Sequence, residues 1–266
     1  MTKQTAPDDL VLRPLASAED YAACVELQEA TWGRGFADRV PPSLLMITQK
    51  VGGIAAGAFE PDGTLVGFVL GFTGIRAGRP AHWSHMLAVR EDRRDRGIGR
   101  WLKRYQRDQL LESGVDRMYW TFDPLVARNA QLNLNELGAT VEEYVPDFYG
   151  PGEDSPVDRG IGTDRFVVRW DVGRETARDG RTETDGGGRA DVESGNVVHV
   201  EIPPDIHALK TASPAEAAAW RNSTRAAFMH YLGRGYRVVG FKQDLGGRGG
   251  SYLLAQPWRA RSSVHV

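Results

Sequence analysis

The chain carries one cysteine, Cys24, among 266 residues, which excludes an internal disulfide and any zinc site built on cysteine pairs. Its six histidines show no paired ligand spacing, so no metal is expected. A strong charge of one sign is also missing. A net charge of −2 with 26% charged residues leaves no footprint for nucleic acid or for an anionic membrane surface. No run approaches the roughly 20 apolar residues of a membrane span, and Met1 to Asp9 lacks the apolar core of a signal peptide. A cytoplasmic protein with no nucleic-acid or membrane partner is the expectation. Cys24 itself falls in a helical pattern with Tyr21, Val25 and Leu27, where a buried, inert thiol is expected.

What is present is an ordinary globular composition, 41% hydrophobic, in a chain long enough for one large or two small domains. Leu10 to Leu15 reads as a strand. Ser17-x-x-Asp20 then resembles a capping box before a helix to about Ala30, and Pro41 to Gln49 reads as a second helix with proline in its first turn. Gly53 to Phe59 and Thr64 to Phe72 flank Pro61-Asp62-Gly63, a hairpin signal. The glycines at 52, 53, 57, 67 and 71 suit packing and bulges better than a phosphate loop.

The most informative stretch lies at residues 82–104. Met86-Leu87-Ala88-Val89 is a strand-like run that leads through a charged turn to Arg94-x-x-Gly97-x-Gly99, where helical spacing begins at Ile98, Trp101, Leu102 and Tyr105. A helix leaves its first backbone N–H groups unpaired and carries about half a positive charge at that end, so an anion is favoured there. Gly97 and Gly99 let the backbone approach a ligand closely, and Arg94, Arg96 and Arg100 add cationic donors. A tight turn with surface arginines is the competing reading. A Rossmann dinucleotide site is a poorer match, since its fingerprint has three glycines and comes after the first strand.

Leu87-x-Val89 with Arg94-x-x-Gly97-x-Gly99 after it resembles motif A of the GCN5-related N-acetyltransferases (GNAT). The likeness continues through a strand at Val115 to Phe122, then Asp123-Pro124 opening a helix with Arg128-Asn129-Ala130 that ends at Leu137-Gly138. It implies a mixed α/β (α+β) fold with a mostly antiparallel central sheet flanked by helices. It also implies an acyl-coenzyme A donor, acetyl-coenzyme A or another, and no metal. Leu87, Ala88 and Val89 would hold the pantetheine arm, and Arg94, Asp95, Arg96, Gly97, Ile98, Gly99 and Arg100 the pyrophosphate. Asn129 lies near the family's asparagine on the later helix, two residues later in register.

Thr140 to Tyr144 and Arg165 to Trp170 read as further strands around a loop, Pro146 to Asp164, that in the resembling fold lies beside the acceptor. Tyr149 and Asp147 either face substrate there or are solvated loop residues. Gly173 to Gly195 is almost devoid of apolar residues, and a flexible connection is expected. Val197 to Ile202, Pro214 to Leu232 opened by Ser213, Tyr236 to Phe241 and Ser251 to Ala255 read as strand, helix, strand and strand. The expected organisation is therefore an acyl-coenzyme A-binding catalytic domain over 1–172, a polar linker over 173–195 and a small α/β extension over 196–266. This extension is expected to pack on the first domain or on a partner subunit, as in a homodimer.

Moving an acyl group from a thioester to an amine requires removal of a proton from the ammonium near neutral pH. His85, four residues before Val89, is the candidate base, because some amine-acetylating relatives resemble this chain in carrying a histidine there. A histidine packed in the sheet is the competing reading. The family's oxyanion donor is a backbone N–H near Leu87. Its usual acid, a tyrosine four residues before the glycine matching Gly138, is Leu134 here. Tyr144, Tyr149 or water are the alternatives for that role, or the thiolate leaves unprotonated, or catalysis is lost.

The expected activity is acyl transfer from coenzyme A to a small-molecule amine or amino acid. The acyl group is acetyl or, if Arg76 or Arg79 binds a distal carboxylate, succinyl. A coenzyme A-sensing module without turnover and a protein N-acetyltransferase are the other readings.

Overall fold

The computed structural model describes residues 9–150, 160–173, 197–244 and 249–256. The linker expected over 173–195 lies outside them except for Gly173.

The chain opens with strand β1 (Val11–Pro14) and helix α1 (Ala18–Trp32). The capping box is formed as read. Ser17 Oγ accepts from the Asp20 N–H at 3.2 Å, and the Asp20 carboxylate accepts from the backbone N–H of Ala16 at 2.9 Å and of Ser17 at 3.3 Å. Helix α2 (Pro42–Lys50) comes next, with proline in its first turn where a missing N–H costs nothing. Strands β2 (Ile54–Phe59) and β3 (Leu65–Arg76) then pair across the Pro61-Asp62-Gly63 turn.

Strand β3 runs beyond the expected Phe72. At Ala77 and Gly78 the backbone takes φ of 50° and 74°, a tight turn that brings the chain straight back as β4 (Arg79–Val89). The Met86 to Val89 run is thus only the end of a strand whose first half reads as polar. Its alternation is hidden because His82 and Ser84 are buried although polar. Arg76 and Arg79 face each other across the hairpin tip. Arg79 is exposed there and Arg76 stacks over Tyr119 at 4.2 Å.

Helix α3 (Ile98–Glu112) and strand β5 (Arg117–Phe122) continue the chain. The next helix, α4, starts at Ala127 and spans Ala127–Ala130, not directly at Asp123-Pro124, because Asp123 Oδ1 accepts from the Leu125 N–H at 2.8 Å and holds a turn first. It runs on as a π-helical segment, Gln131–Glu136, and ends at Gly138 with φ 71°. Strands β6 (Thr140–Val145), β7 (Arg165–Asp171) and β8 (Val198–Ile202) come after it. Before α6 (Pro214–Leu232) stands a short helix the sequence reading lacks, α5 (Ile206–Ala212), capped by Asp205 Oδ1, which accepts from the N–H groups of His207 and Ala208 at 3.0 Å. Strands β9 (Arg237–Gln243) and β10 (Gly250–Ala255) close the chain.

Seven strands form a mixed sheet in the order β1-β2-β3-β4-β5-β7-β6, antiparallel from β1 to β4 and parallel between β4 and β5. A second antiparallel sheet has the order β8-β10-β9. This is the mixed, mostly antiparallel α/β architecture expected, with an additional small sheet at the C-terminal end.

The chain divides into two compact units. The first holds residues 9–121 and 169–173 among those described. One face of its sheet, through Phe68, Leu70 and Met86, packs on α1 and α2 through Tyr21, Cys24 and Leu45. The other face, through Val66 and Val69, packs on Ile98 and Leu102 of α3. The second unit holds residues 122–150, 160–168, 197–244 and 249–256. Its centre is a ring cluster in which Phe166, Phe228 and Tyr252 meet pairwise at 4.8 to 5.4 Å, within the range where edge-to-face packing is favourable.

Candidate active site

The register of β4 sets the geometry. Leu70 pairs with Met86 and Gly71 with Ser84, so His85 is an extra residue, a β-bulge. Ahead of the bulge His82 and Ser84 point toward α3; beyond it Leu87 and Val89 do, while Met86 and Ala88 face α1 and α2. His85 lies on the α1/α2 face, its ring 5.6 Å from that of Phe72. Burial pushes its pKa below the ordinary histidine value, and the charge of Asp38 opposes that in part. A neutral imidazole is the form a base needs.

On its other edge β4 pairs with β5 at two positions, His82 with Met118 and Trp83 with Tyr119. Past them the ladder stops, so Ser84 to Val89 of β4 and Trp120 and Thr121 of β5 diverge without pairing to each other among the described residues. A strand with one open edge and a bulge presents backbone N–H and C=O groups to a ligand.

At the end of β4, a short 3-10 turn (Glu91–Arg93) leads to the loop. Arg94 folds back so that its Nε donates to the Val89 carbonyl oxygen at 3.3 Å. Asp95 and Gly97 both take positive φ, 62° and 78°. Gly97 is the N-cap of α3, and no side chain caps that helix. A Cβ placed on Gly97 would meet nothing nearer than Arg100 Nη2 at 3.7 Å, so its Cα faces open space. Ile98 buries its side chain, 1% exposed, and its backbone N–H is among those a helix N-terminus leaves without an intrahelical partner. Asp95 and Arg96 are exposed, and Gly99 and Arg100 are half-buried. These features fit a phosphate-bearing ligand at the helix N-terminus.

The inner face of α3 carries two residues the sequence reading passes over. Lys103, 4% exposed, donates from Nζ to Ser84 Oγ at 2.7 Å and stands 4.0 Å over the Trp120 ring. No carboxylate pairs with it among the described residues, and burial lowers its pKa to about 7. One turn on, Gln106 lies 2.9 Å from His82 Nε2, while His82 Nδ1 lies 3.0 Å from Thr73 Oγ1. Burial first, then the charge of Lys103, lower the His82 pKa to about 3. Gly71 makes room for this: a Cβ there would overlap His82 Nε2 and stand 2.7 Å from the Trp83 carbonyl oxygen.

The remaining candidates lie in the second unit. Asn129 is half-buried on α4. Leu134, 7% exposed, offers no proton donor. The Tyr144 hydroxyl donates to Asp164, which also receives the Arg225 guanidinium, and burial together with this carboxylate raises its pKa strongly. That makes Tyr144 a poor proton donor. Asp147 Oδ1 accepts from Arg225 at 2.9 Å, and Tyr149 is 43% exposed with Arg165 5.4 Å over its ring. Asp147 and Tyr144 therefore serve an ion-pair cluster.

A family model described as acetyltransferase (GNAT) family matches residues 21–132. Over these residues the chain matches the GNAT acetyltransferase family. The fold is similar to that of several solved structures. One is the ribosomal-protein-S18-alanine N-acetyltransferase from Escherichia coli, with 16% identity over 63% of this chain and 97% of that chain, TM-score 0.47. Another is yncA, a putative acetyltransferase from Salmonella typhimurium with its cofactor acetyl-CoA, with 19% identity over 65% and 99%, TM-score 0.47. A third is an aminoglycoside 6'-N-acetyltransferase complexed with coenzyme A, with 16% identity over 62% and 99%, TM-score 0.47. Among curated proteins none matches. No helix among the described residues is long and apolar enough to cross a membrane.

Proposed function

We infer that this chain moves an acyl group from acyl-coenzyme A to the amine of a small molecule or amino acid by direct transfer. The observation that carries this reading is the divergence of β4 from β5 past Trp83 and Tyr119, beside the His85 bulge and within the residues that match the GNAT family. In this reading the open backbone edge of Leu87, Ala88 and Val89 holds the pantetheine arm. The N–H groups of the 94–100 loop, with Arg94, Arg96 and Arg100, hold the pyrophosphate. Coenzyme A supplies an activated thioester. His85, neutral at pH 7, takes the proton from the acceptor ammonium, and the bulge sets its ring on the α1/α2 face.

A second reading, a coenzyme A-sensing module without turnover, is favoured by one observation: Leu134 is a buried apolar side chain where relatives carry an acid. Incubating the protein with acetyl- or succinyl-coenzyme A and a panel of amines and amino acids, while monitoring free thiol, separates the two. Release that depends on one acceptor supports the transferase. Tight coenzyme A binding without release across the panel supports the sensor.

A further inference from the structure

The position of Lys103 calls for a chemical explanation that stability does not give. A buried ammonium without a carboxylate partner costs free energy, and an apolar side chain of similar size would pack as well or better. Its location is specific. Nζ touches Ser84 on β4 and the ring of Trp120 on β5, and these are the first residues on the two strands after the last paired positions, Trp83 and Tyr119. Lys103 therefore occupies the apex at which the strands part. It reaches that apex from the α3 face, whereas His85 stands on the α1/α2 face.

The geometry points to Lys103 as the proton donor to the leaving sulfur in the acyl transfer inferred above, on which this proposal rests. The acceptor nitrogen, relieved of one proton by His85, attacks the thioester carbonyl carbon from the α1/α2 side. When the carbon–sulfur bond breaks, its electron pair goes to sulfur, the Lys103 ammonium delivers a proton there, and the nitrogen gives up its second proton to water. Thioester and ammonium give amide, free thiol and one proton to solvent, and Lys103 is reprotonated from water. An amine with a pKa of about 7 gives its proton readily to a thiolate whose acid ionises near 8.5.

The groups facing Lys103 do not disturb this assignment. His82 on β4 is the titratable neighbour and is neutral across the working range. On the β5 side stands Trp120, packed edge-on against Trp170 at 6.4 Å, over which Arg107 of α3 lies at 5.9 Å. Neither neighbour is an acid, so the proton stays with the amine or goes to the ligand.

The test uses free coenzyme A, whose thiolate absorbs in the ultraviolet. Bound to the wild-type chain, its thiol and the Lys103 amine should titrate as a coupled pair whose thiolate signal begins about one pH unit below that seen with Lys103→Met, because the fraction of ammonium still present favours the anion. With acetyl-coenzyme A and an accepted amine, Lys103→Met should lose at least 100-fold in kcat with little change in KM for the donor. A donor thioester with a much more acidic thiol should restore most of that loss. Ser84→Ala, which leaves the amine but removes its hydrogen bond, should fall between. The melting temperature of Lys103→Met, equal to or above wild type, would show that the loss is not one of folding.

Identical thiol titration in wild type and Lys103→Met overturns the proposal, as does an unchanged kcat. So does a preference for succinyl-coenzyme A that vanishes in Lys103→Met while acetyl turnover persists, since Lys103 then binds a carboxylate. If coenzyme A binds but no acceptor is turned over, the transfer reading fails, and the thiol titration alone decides where Lys103 stands. If coenzyme A does not bind at all, both fall.

Discussion

Arg221 of α6 places its Nη2 2.6 Å from Asp123 Oδ2, with both side chains buried and Arg221 Nε donating to the Ile161 carbonyl oxygen at 3.0 Å. The carboxylate that holds the turn before α4 is thus neutralised by a helix almost a hundred residues later. Removing Arg221 leaves the buried carboxylate only the more distant Arg165 guanidinium, at 3.9 Å, a cost of up to about 3–5 kcal/mol. Arg221→Ala should lose that much by urea unfolding of the full chain. Arg221→Met combined with Asp123→Asn should lose markedly less, because no bare charge remains.

Asp20 gives a pH-dependent contribution of known sign. Its hydrogen bond from Arg13, aided by the N–H groups of Ala16 and Ser17 against the cost of burial, lowers its pKa from 3.8 to about 2. A lowered folded pKa means stability that is fully present above pH 4 and lost as pH falls toward 2. The exposed side of Arg13 screens the pair, so the contribution is about 1–2 kcal/mol. Denaturant titrations at pH 6 and pH 2.5 should show this loss in wild type and little of it in Asp20→Asn.

Gly97 tests the loop. A side chain there must adopt a φ of 78° and project into open space. Gly97→Val should cost about 1 kcal/mol of stability and weaken coenzyme A binding at least tenfold by calorimetry. Unchanged affinity would remove the pyrophosphate from this loop.

His85 acts as a base only when neutral, and burial, opposed in part by Asp38, lowers its pKa below the ordinary histidine value. The rate should therefore hold through neutral pH and fall only on the acid side, and His85→Ala should lose both that limb and about 100-fold or more in rate. A pH–rate profile identical in shape to wild type removes the role.

Gly71 tests the buried network behind β4. Gly71→Ala forces a methyl into His82 and the Trp83 carbonyl, so it should destabilise by about 1–3 kcal/mol as overpacking does. Thermal unfolding reads it directly.

Local signals were legible in the sequence: the Ser17-Asp20 box, the Pro61-Asp62-Gly63 turn, and the glycine pair that opens α3 each act within a few residues. The start of β4 was not, because strand patterns are read from apolar alternation and this strand buries His82 and Ser84. Lys103 and Gln106 escaped for the same reason. A charged residue on a helix is assigned to water unless its partners are known, and these partners sit on another strand. The bulge at His85 exists only in the register against β3. Likewise, nothing local to Tyr252 or Phe228 reveals that they share a core with Phe166.

Cys24 has a practical consequence. It is fully buried, and burial raises its pKa to about 12, so the native chain holds essentially no thiolate. A thiol-reactive dye added to a turnover mixture therefore reports only sulfur released from the donor. Added to the protein alone, the same dye marks Cys24 only when α1 leaves the sheet, and its labelling rate becomes a clock for the opening of the first unit.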